Sequence, residues 1–341
     1  MADATTQDRI AAETALWVQQ FTAAGTQLQA STAQAVQAGW LSFEKWYDAV
    51  AVAALAAEMA NLSTVAQQTT AGLSAQFATQ AAAAVLDLVA PQVPRNLWTP
   101  VRDGKPLRLV HTRPAEVFKR AIATGATHEE AVQQAVARAT GLTLSDVALE
   151  DRAVQRAVFE RMGVTAYRRV IRPELSKTGT CGLCIAAADR IYSTNELMPL
   201  HPPSCKCVVL PIVGDIDPGL TLNREDLDAL YAAAGSNKAV DLRRTGFKSL
   251  DELRAAGDAA YAVHEHGELG PMLSRPTDKF RAPQQVPLEE DPGRAARMLA
   301  KVEPVLISLE ERAAAGENVS DPLAYQRELI NRLRDIVATA A

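Results

Sequence analysis

Four cysteines and one histidine gather within 27 residues: Cys181, Cys184, His201, Cys205 and Cys207. The other 314 residues contain no cysteine. Zinc takes four ligands in a tetrahedron and favours thiolate and neutral imidazole. Cys181-Gly-Leu-Cys184 places two sulfurs on one tight turn, and Gly182 helps that turn form. Cys205 and Cys207 are two apart, so on a strand both sulfurs point to one side. His201 stands four residues before Cys205. Five candidates compete for four places, so one is surplus to a structural Zn2+ site. The competing reading is free thiols, or disulfides made after assembly. A closed four-ligand site has no open position and would be structural, not catalytic.

Other chemistry is harder to find. Ser204 lies near His201, but no GxSxG-like elbow surrounds it. His264-Glu265-His266-Gly267-Glu268 lacks the HExxH register that puts two histidines on one helix face. On a helix, His264 and Glu268 would form a salt-bridged surface turn. No acidic pair, phosphate-cradling glycine loop or ADP-ribosyltransferase-like motif stands out. A stretch of arginines, Arg152, Arg156, Arg161, Arg168, Arg169 and Arg172, is a candidate contact for phosphate or for a protein partner.

The elements that must position these residues are mostly helical. Residues 1–90 contain no proline, and apolar residues recur at heptad-like steps: Ile10, Trp17, Phe21, Leu28, then Val36, Trp40, Phe43, Tyr47, Val50 and Ala54. Two or three long amphipathic helices are expected, forming a hairpin or docking on a partner. Pro91, Pro94, Pro100 and Pro106 mark a linker over 91–112. Helices are expected over 114–140, with Thr127 and Glu130 as a capping box, and from Ser145 or Asp146 to Met162, ended by Gly163. Tyr167–Ile171 and Val208–Val213 read as strands flanking the cysteines, the second at an edge because Pro211 donates no ladder bond. Short helices over 223–234 and over 249–256 running on towards His264, a proline-rich linker over 270–293 and two closing helices near 294–312 and 322–338 complete the chain. The fold class is mainly α with a small α+β cysteine-rich, zinc-knot-like module at 165–215, and multidomain.

Composition bounds the function. Residues 1–90 hold two basic residues, Arg9 and Lys45, against seven acidic ones, which accounts for the whole formal charge of −5. The balanced remainder does not resemble a dedicated nucleic-acid domain. No charge-free run of 18 apolar residues occurs, so no membrane span is expected, and no secretion signal is read. Free or metal-bound thiols suit a reducing interior.

The run Ser176-Lys-Thr-Gly-Thr-Cys-Gly-Leu-Cys184, followed by Leu200-His-Pro-Pro-Ser-Cys-Lys-Cys207 and Leu210-Pro211, resembles the phage Mu protein F-like head morphogenesis family of minor capsid proteins. That family's pattern is CxxC, then HPxCxC before a hydrophobic strand. Here one extra residue separates His201 from Cys205, and Lys206 stands where arginine is usual. Tyr261–Leu273 also looks like a segment that follows the cluster in such proteins. The resemblance covers about 113–280, leaving 1–90 as helices for assembly contacts and 281–341 as a linker with C-terminal helices. It implies a virion protein, inside the head near the portal, acting in procapsid assembly and DNA packaging or release. Its implied partners are the portal protein, the scaffold or major capsid protein, and packaged double-stranded DNA. Related genes are often labelled capsid maturation protease, which is the main alternative. A zinc-dependent DNA-binding module is the second.

Overall fold

The computed structural model describes residues 4–92, 102, 106–175, 187–188, 190–198, 206–224, 262–266, 270–274 and 287–339. Its order is α1 (Ala4–Leu41), α2 (Ala49–Leu86), α3 (Leu107–Val110), α4 (Arg113–Ala123), α5 (His128–Arg161), β1 (Ala166–Val170), β2 (Ile191–Ser193), β3 (Val208–Ile212), β4 (Ala262–His266), β5 (Gly270–Ser274), α6 (Pro292–Ala314) and α7 (Ser320–Thr339). The described residues are mainly helical, with a small three-stranded sheet and a two-stranded one, β4-β5.

Two compact units form, and both draw on α1, α2 and α5. One comprises Met1–Ala30, Val65–Asp103 and Ser145–Asp278; the other comprises Ser31–Thr64, Gly104–Leu144 and Lys279–Ala341.

In the first unit β1 is the central strand, paired antiparallel to β2 and β3. Pro211 sits opposite Tyr167 on the edge strand, where its missing N–H breaks no ladder. Tyr167, Tyr192 and Val209 pack with Ala71, Ala75, Ala78 and Ala82 of α2 and with Val154, Val158 and Phe159 of α5. The alanines let α2 approach closely. Val170, Val208 and Leu210 form a second cluster with Val18 of α1 and Phe77 of α2. All five β3 residues are buried, which is why this segment is continuously apolar.

In the second unit α1 ends at Leu41 and the chain turns through 42–48. The Asp48 carboxylate accepts from the N–H groups of Val50 and Ala51 and starts α2. This turn resets the helical phase. The expected stripe from Val36 to Ala54 is therefore not one helix face: Val36 and Trp40 are buried, while Val50 is 80% exposed and Ala54 is exposed. Burial passes to Val52, Ala56 and Met59. Trp40 stacks on Trp46, and Trp46 on Phe118 of α4 at 4.3 Å between ring centres. A Cβ on Gly39 would lie 2.9 Å from the Met59 methyl, so glycine permits this helix crossing. The α6 and α7 helices close on each other through Val302, Ile330 and Leu333.

Two expectations over 114–164 need different treatment. The Thr127–Glu130 capping box is present: Thr127 N–H donates to Glu130, and Glu130 N–H donates to the Thr127 hydroxyl. The expected second start at Ser145 or Asp146 is absent, because α5 runs unbroken from His128 to Arg161. The Asp146 carboxylate binds Arg102 instead of capping its own helix. Gly163, at φ +73°, ends the segment as expected. Residues 262–266 are a strand rather than part of a helix, with His264 opposite Met272; Glu268 lies outside the described residues.

α2 is by length and composition apolar enough to cross a membrane. One-third of its most apolar stretch is buried, and Ser63, Gln67 and Ser74 make hydrogen bonds along one face.

Candidate metal centre

Of the five candidate donors, Cys181, Cys184, His201 and Cys205 lie outside the described residues. Cys207 is described: it immediately precedes β3 and is 7% exposed. Among the described residues no group of three or more His, Cys, Asp or Glu side chains converges as a metal site. The donor chemistry of the sequence, four thiols and an imidazole, fits Zn2+.

The arginine stretch builds the surroundings of Cys207. Alternation along β1 sends Tyr167 and Arg169 to the face covered by α5, where Cys207 and Val209 also lie. Arg169 is fully buried. Its Nη1 donates to the Cys207 sulfur at 3.4 Å, and its Nη2 donates to the Met198 carbonyl at 2.6 Å and to the Tyr167 hydroxyl at 3.2 Å. Its guanidinium carbon lies 5.2 Å from the Tyr192 ring centre, a cation–π distance. Arg152 of α5 donates to the Cys207 carbonyl, and its Nη2 is 3.9 Å from the same sulfur. It also pairs with Asp151.

Burial shifts the two tyrosines here. Desolvation pushes the Tyr192 and Tyr167 hydroxyls well above the usual tyrosine range, with the nearby Arg169 charge opposing in both.

Arg168 points to the opposite face. It pairs with Asp217 at 2.8 Å and donates to the Ala188 carbonyl. Gly219 admits this side chain: a Cβ there would meet the Arg168 Cβ at 3.1 Å. Arg172 reaches α1, donating to the Val18 carbonyl and to the Thr22 hydroxyl at 2.7 Å. Arg156 pairs with Glu160 at the surface, and Arg161 is exposed. Of the six arginines proposed to meet phosphate or a partner, Arg152, Arg168 and Arg169 are thus turned inward, where neither reaches them. Charge counting over a helix–strand segment does not separate faces that the β1 alternation divides.

Two buried polar groups escaped the sequence reading. Asn223 is fully buried; its amide donates to the carbonyls of Arg169 and Ala188, and its oxygen accepts from Ile171 N–H. It ties the segment after β3 back onto β1. Ser63 Oγ lies 3.2 Å from His111 Nε2 and 3.1 Å from the Thr143 hydroxyl. That distance suits a nucleophile and base, but Ser63, His111 and Thr143 are all fully buried, so no substrate reaches them. They link α2 to α5. No short motif marks either group, because the partners come from distant parts of the chain.

No protein-family model matches the chain, and neither the curated proteins nor the solved structures contain a match.

Proposed function

We propose that this chain is a non-enzymatic minor head protein of a tailed phage, acting at the portal vertex in procapsid assembly and in DNA packaging or release. The observation that carries the reading is the cysteine–histidine cluster ending in His201-Pro-Pro-Ser-Cys-Lys-Cys207, which runs directly into the buried strand β3. Such a cluster, closed by Zn2+, substitutes for a core that a short loop-rich segment cannot build. Cys181, Cys184, His201, Cys205 and Cys207 are the candidate ligands, and the sheet β2-β1-β3 is their scaffold. The multidomain organisation belongs to the same reading.

The portal-facing surface in this proposal is the outer side of α1 and α2. A cleft of about 180 Å3 opens between them, with Trp17, Phe21 and Phe77 on its walls and Gln20, Gln76 and Gln80 around it. From Thr14 to Phe43 the sequence carries no charge, whereas ordinary surfaces are about one-quarter charged or more. An uncharged cleft of this kind suits an apolar partner helix.

The test is co-expression with the portal and scaffold proteins. Deleting 1–90 would remove core residues of both units, so single surface changes are the right probe. Gln20→Glu and Gln76→Glu are expected to abolish portal co-purification and leave thermal unfolding unchanged. Retained co-purification, or specific cleavage of capsid protein that a single substitution here abolishes, would replace this reading with another partner surface or with the maturation protease.

A further inference from the structure

The α6–α7 hairpin packs chiefly against itself. Its buried cluster joins Ala295 and Val302 of α6 to Ile330 and Leu333 of α7, and from α4 it takes in Ala123. The ion pairs Arg327–Glu310 and Arg334–Glu303 run between the same two helices. α6 and α7 meet each other far more extensively than either meets α4.

The hold on α4 is small and polar. Gln326 of α7 is 1% exposed. Its Nε2 donates to the Ala123 carbonyl at 3.0 Å and to the Val302 carbonyl at 2.6 Å. Ala123 ends α4, and the last carbonyls of a helix have no partner within it. A side chain 203 positions further along the chain thus caps α4. Beside this bond the Tyr325 and Tyr47 rings meet edge-on at 6.0 Å, and Lys119 Nζ stands 5.9 Å from the Tyr325 ring centre.

The same contact carries a cost. The Tyr47 hydroxyl is buried and makes no hydrogen bond among the described residues. Burial raises its pKa, and Tyr325 and Asp321 of α7 add to the rise, which places it at this contact. A buried hydroxyl without a partner forfeits the hydrogen bonds that water gave it.

We propose that the α6–α7 hairpin is a strap that lifts off α4 as a folded piece, with Gln326 as its latch and the stranded Tyr47 hydroxyl working against closure. Lifting breaks the bond to Ala123 and keeps the one to Val302, which travels with the hairpin. Water then takes the Ala123 carbonyl and the Tyr47 hydroxyl, so neither is left unsatisfied in the open state. The hairpin keeps its own core. Elements with few apolar contacts to their surroundings are the ones that open at low free energy. Opening uncovers Ala123 and the Tyr47 side of the aromatic cluster that contains Trp46 and Phe118.

Thiol labelling of the full-length chain reads the opening. Ala123→Cys places a thiol under the strap, and Ala139→Cys places one in the core of the same unit; both alanines are fully buried. Peptide mass spectrometry separates their modification from that of the native cysteines. The thiol at 123 is expected to react faster than the thiol at 139, with little dependence on urea, because lifting exposes little surface. Adding Gln326→Ala should raise its rate about fivefold, the equivalent of one net hydrogen bond. Adding Tyr47→Phe should lower it, because the stranded hydroxyl is gone. Hydrogen exchange of the α6 and α7 amides should stay slow throughout, which separates lifting from unfolding of the hairpin. Equal rates and equal urea dependence at 123 and 139 overturn the proposal. So do faster labelling with Tyr47→Phe and hairpin amides that exchange in step with the labelling. If a cysteine variant does not fold, wild-type hydrogen exchange at the last turn of α4 decides. Exchange through an opening of low urea dependence supports the strap, and exchange only together with α5 overturns it.

Discussion

Arg102 donates from Nε to the carboxylate of Asp146, and neither side chain has any exposed surface. Arg102 stands in the proline-rich stretch after α2 and adopts φ +63°, an unusual conformation for a residue with a side chain. Asp146 lies in the middle of α5. This buried ion pair fixes Arg102 to α5. Removing one member of such a pair strands the other charge, at a cost of about 3–5 kcal/mol, whereas replacing both by apolar groups is often neutral. Arg102→Ala and Asp146→Ala should each lower the urea midpoint strongly. Arg102→Met with Asp146→Leu should recover most of the loss.

A second stability prediction concerns the aromatic cluster of the other unit. Trp46 and Phe118 stack at 4.3 Å with an interplanar angle of 11°, and both are at most 2% exposed. Phe118→Ala removes that surface and leaves a cavity between α4 and the α1–α2 turn. The expected loss is ~3–5 kcal/mol, read by chemical denaturation. Phe118→Leu should lose distinctly less. Equal losses from both substitutions would show that the stacking geometry, rather than filled volume, sets the stability.

Much of this architecture was legible in local pattern, and the parts that were not share a cause. The capping box at Thr127, the stop at Gly163, the two strands flanking the cysteines and the edge position of Pro211 all follow from neighbours in sequence. The missed features depend on partners far along the chain. Asp146 reads as a helix cap until Arg102 takes its carboxylate. The arginines at 152, 168 and 169 read as a candidate contact for phosphate or a partner until β1 sends Arg168 and Arg169 to opposite faces and Arg152 turns inward from α5. The Val36–Ala54 series kept its spacing across a turn that no spacing rule sees. Periodicity reports which residues could share a face, and only packing decides whether the face exists.

The start of α5 should respond to acid. Hydrogen bonds from the Thr127 backbone and then its side chain hold Glu130 below its ordinary value of 4.5. A folded value lower than the unfolded one means that this contribution is fully present above the unfolded value. It is lost as pH falls through the folded value. The Glu130 carboxyl, followed by NMR, should therefore titrate below 4.5, and amide exchange over the first turn of α5 should quicken over the same acid interval. Thr127→Val should return the Glu130 titration to the ordinary range. An unchanged titration in that variant would mean that the box is not what holds it down.

The alkaline limit has the opposite sign. Burial raises Tyr47, Tyr167, Tyr192 and Tyr325 above the usual tyrosine value of 10.0. For an acid whose folded value is raised, the stabilising contribution is complete below the unfolded value. It is lost as pH climbs from there towards the folded value. Four of the six tyrosines should thus stay protonated while the protein is folded. Ultraviolet titration should show their phenolate formation coincident with loss of helical circular dichroism. Tyr192→Phe keeps the ring against Arg169 and Arg190 and removes the ionisable group. That variant should therefore unfold at higher pH than wild type, with unchanged stability near neutrality. If it unfolds at the same pH, ionisation of Tyr192 is not what limits the fold in base.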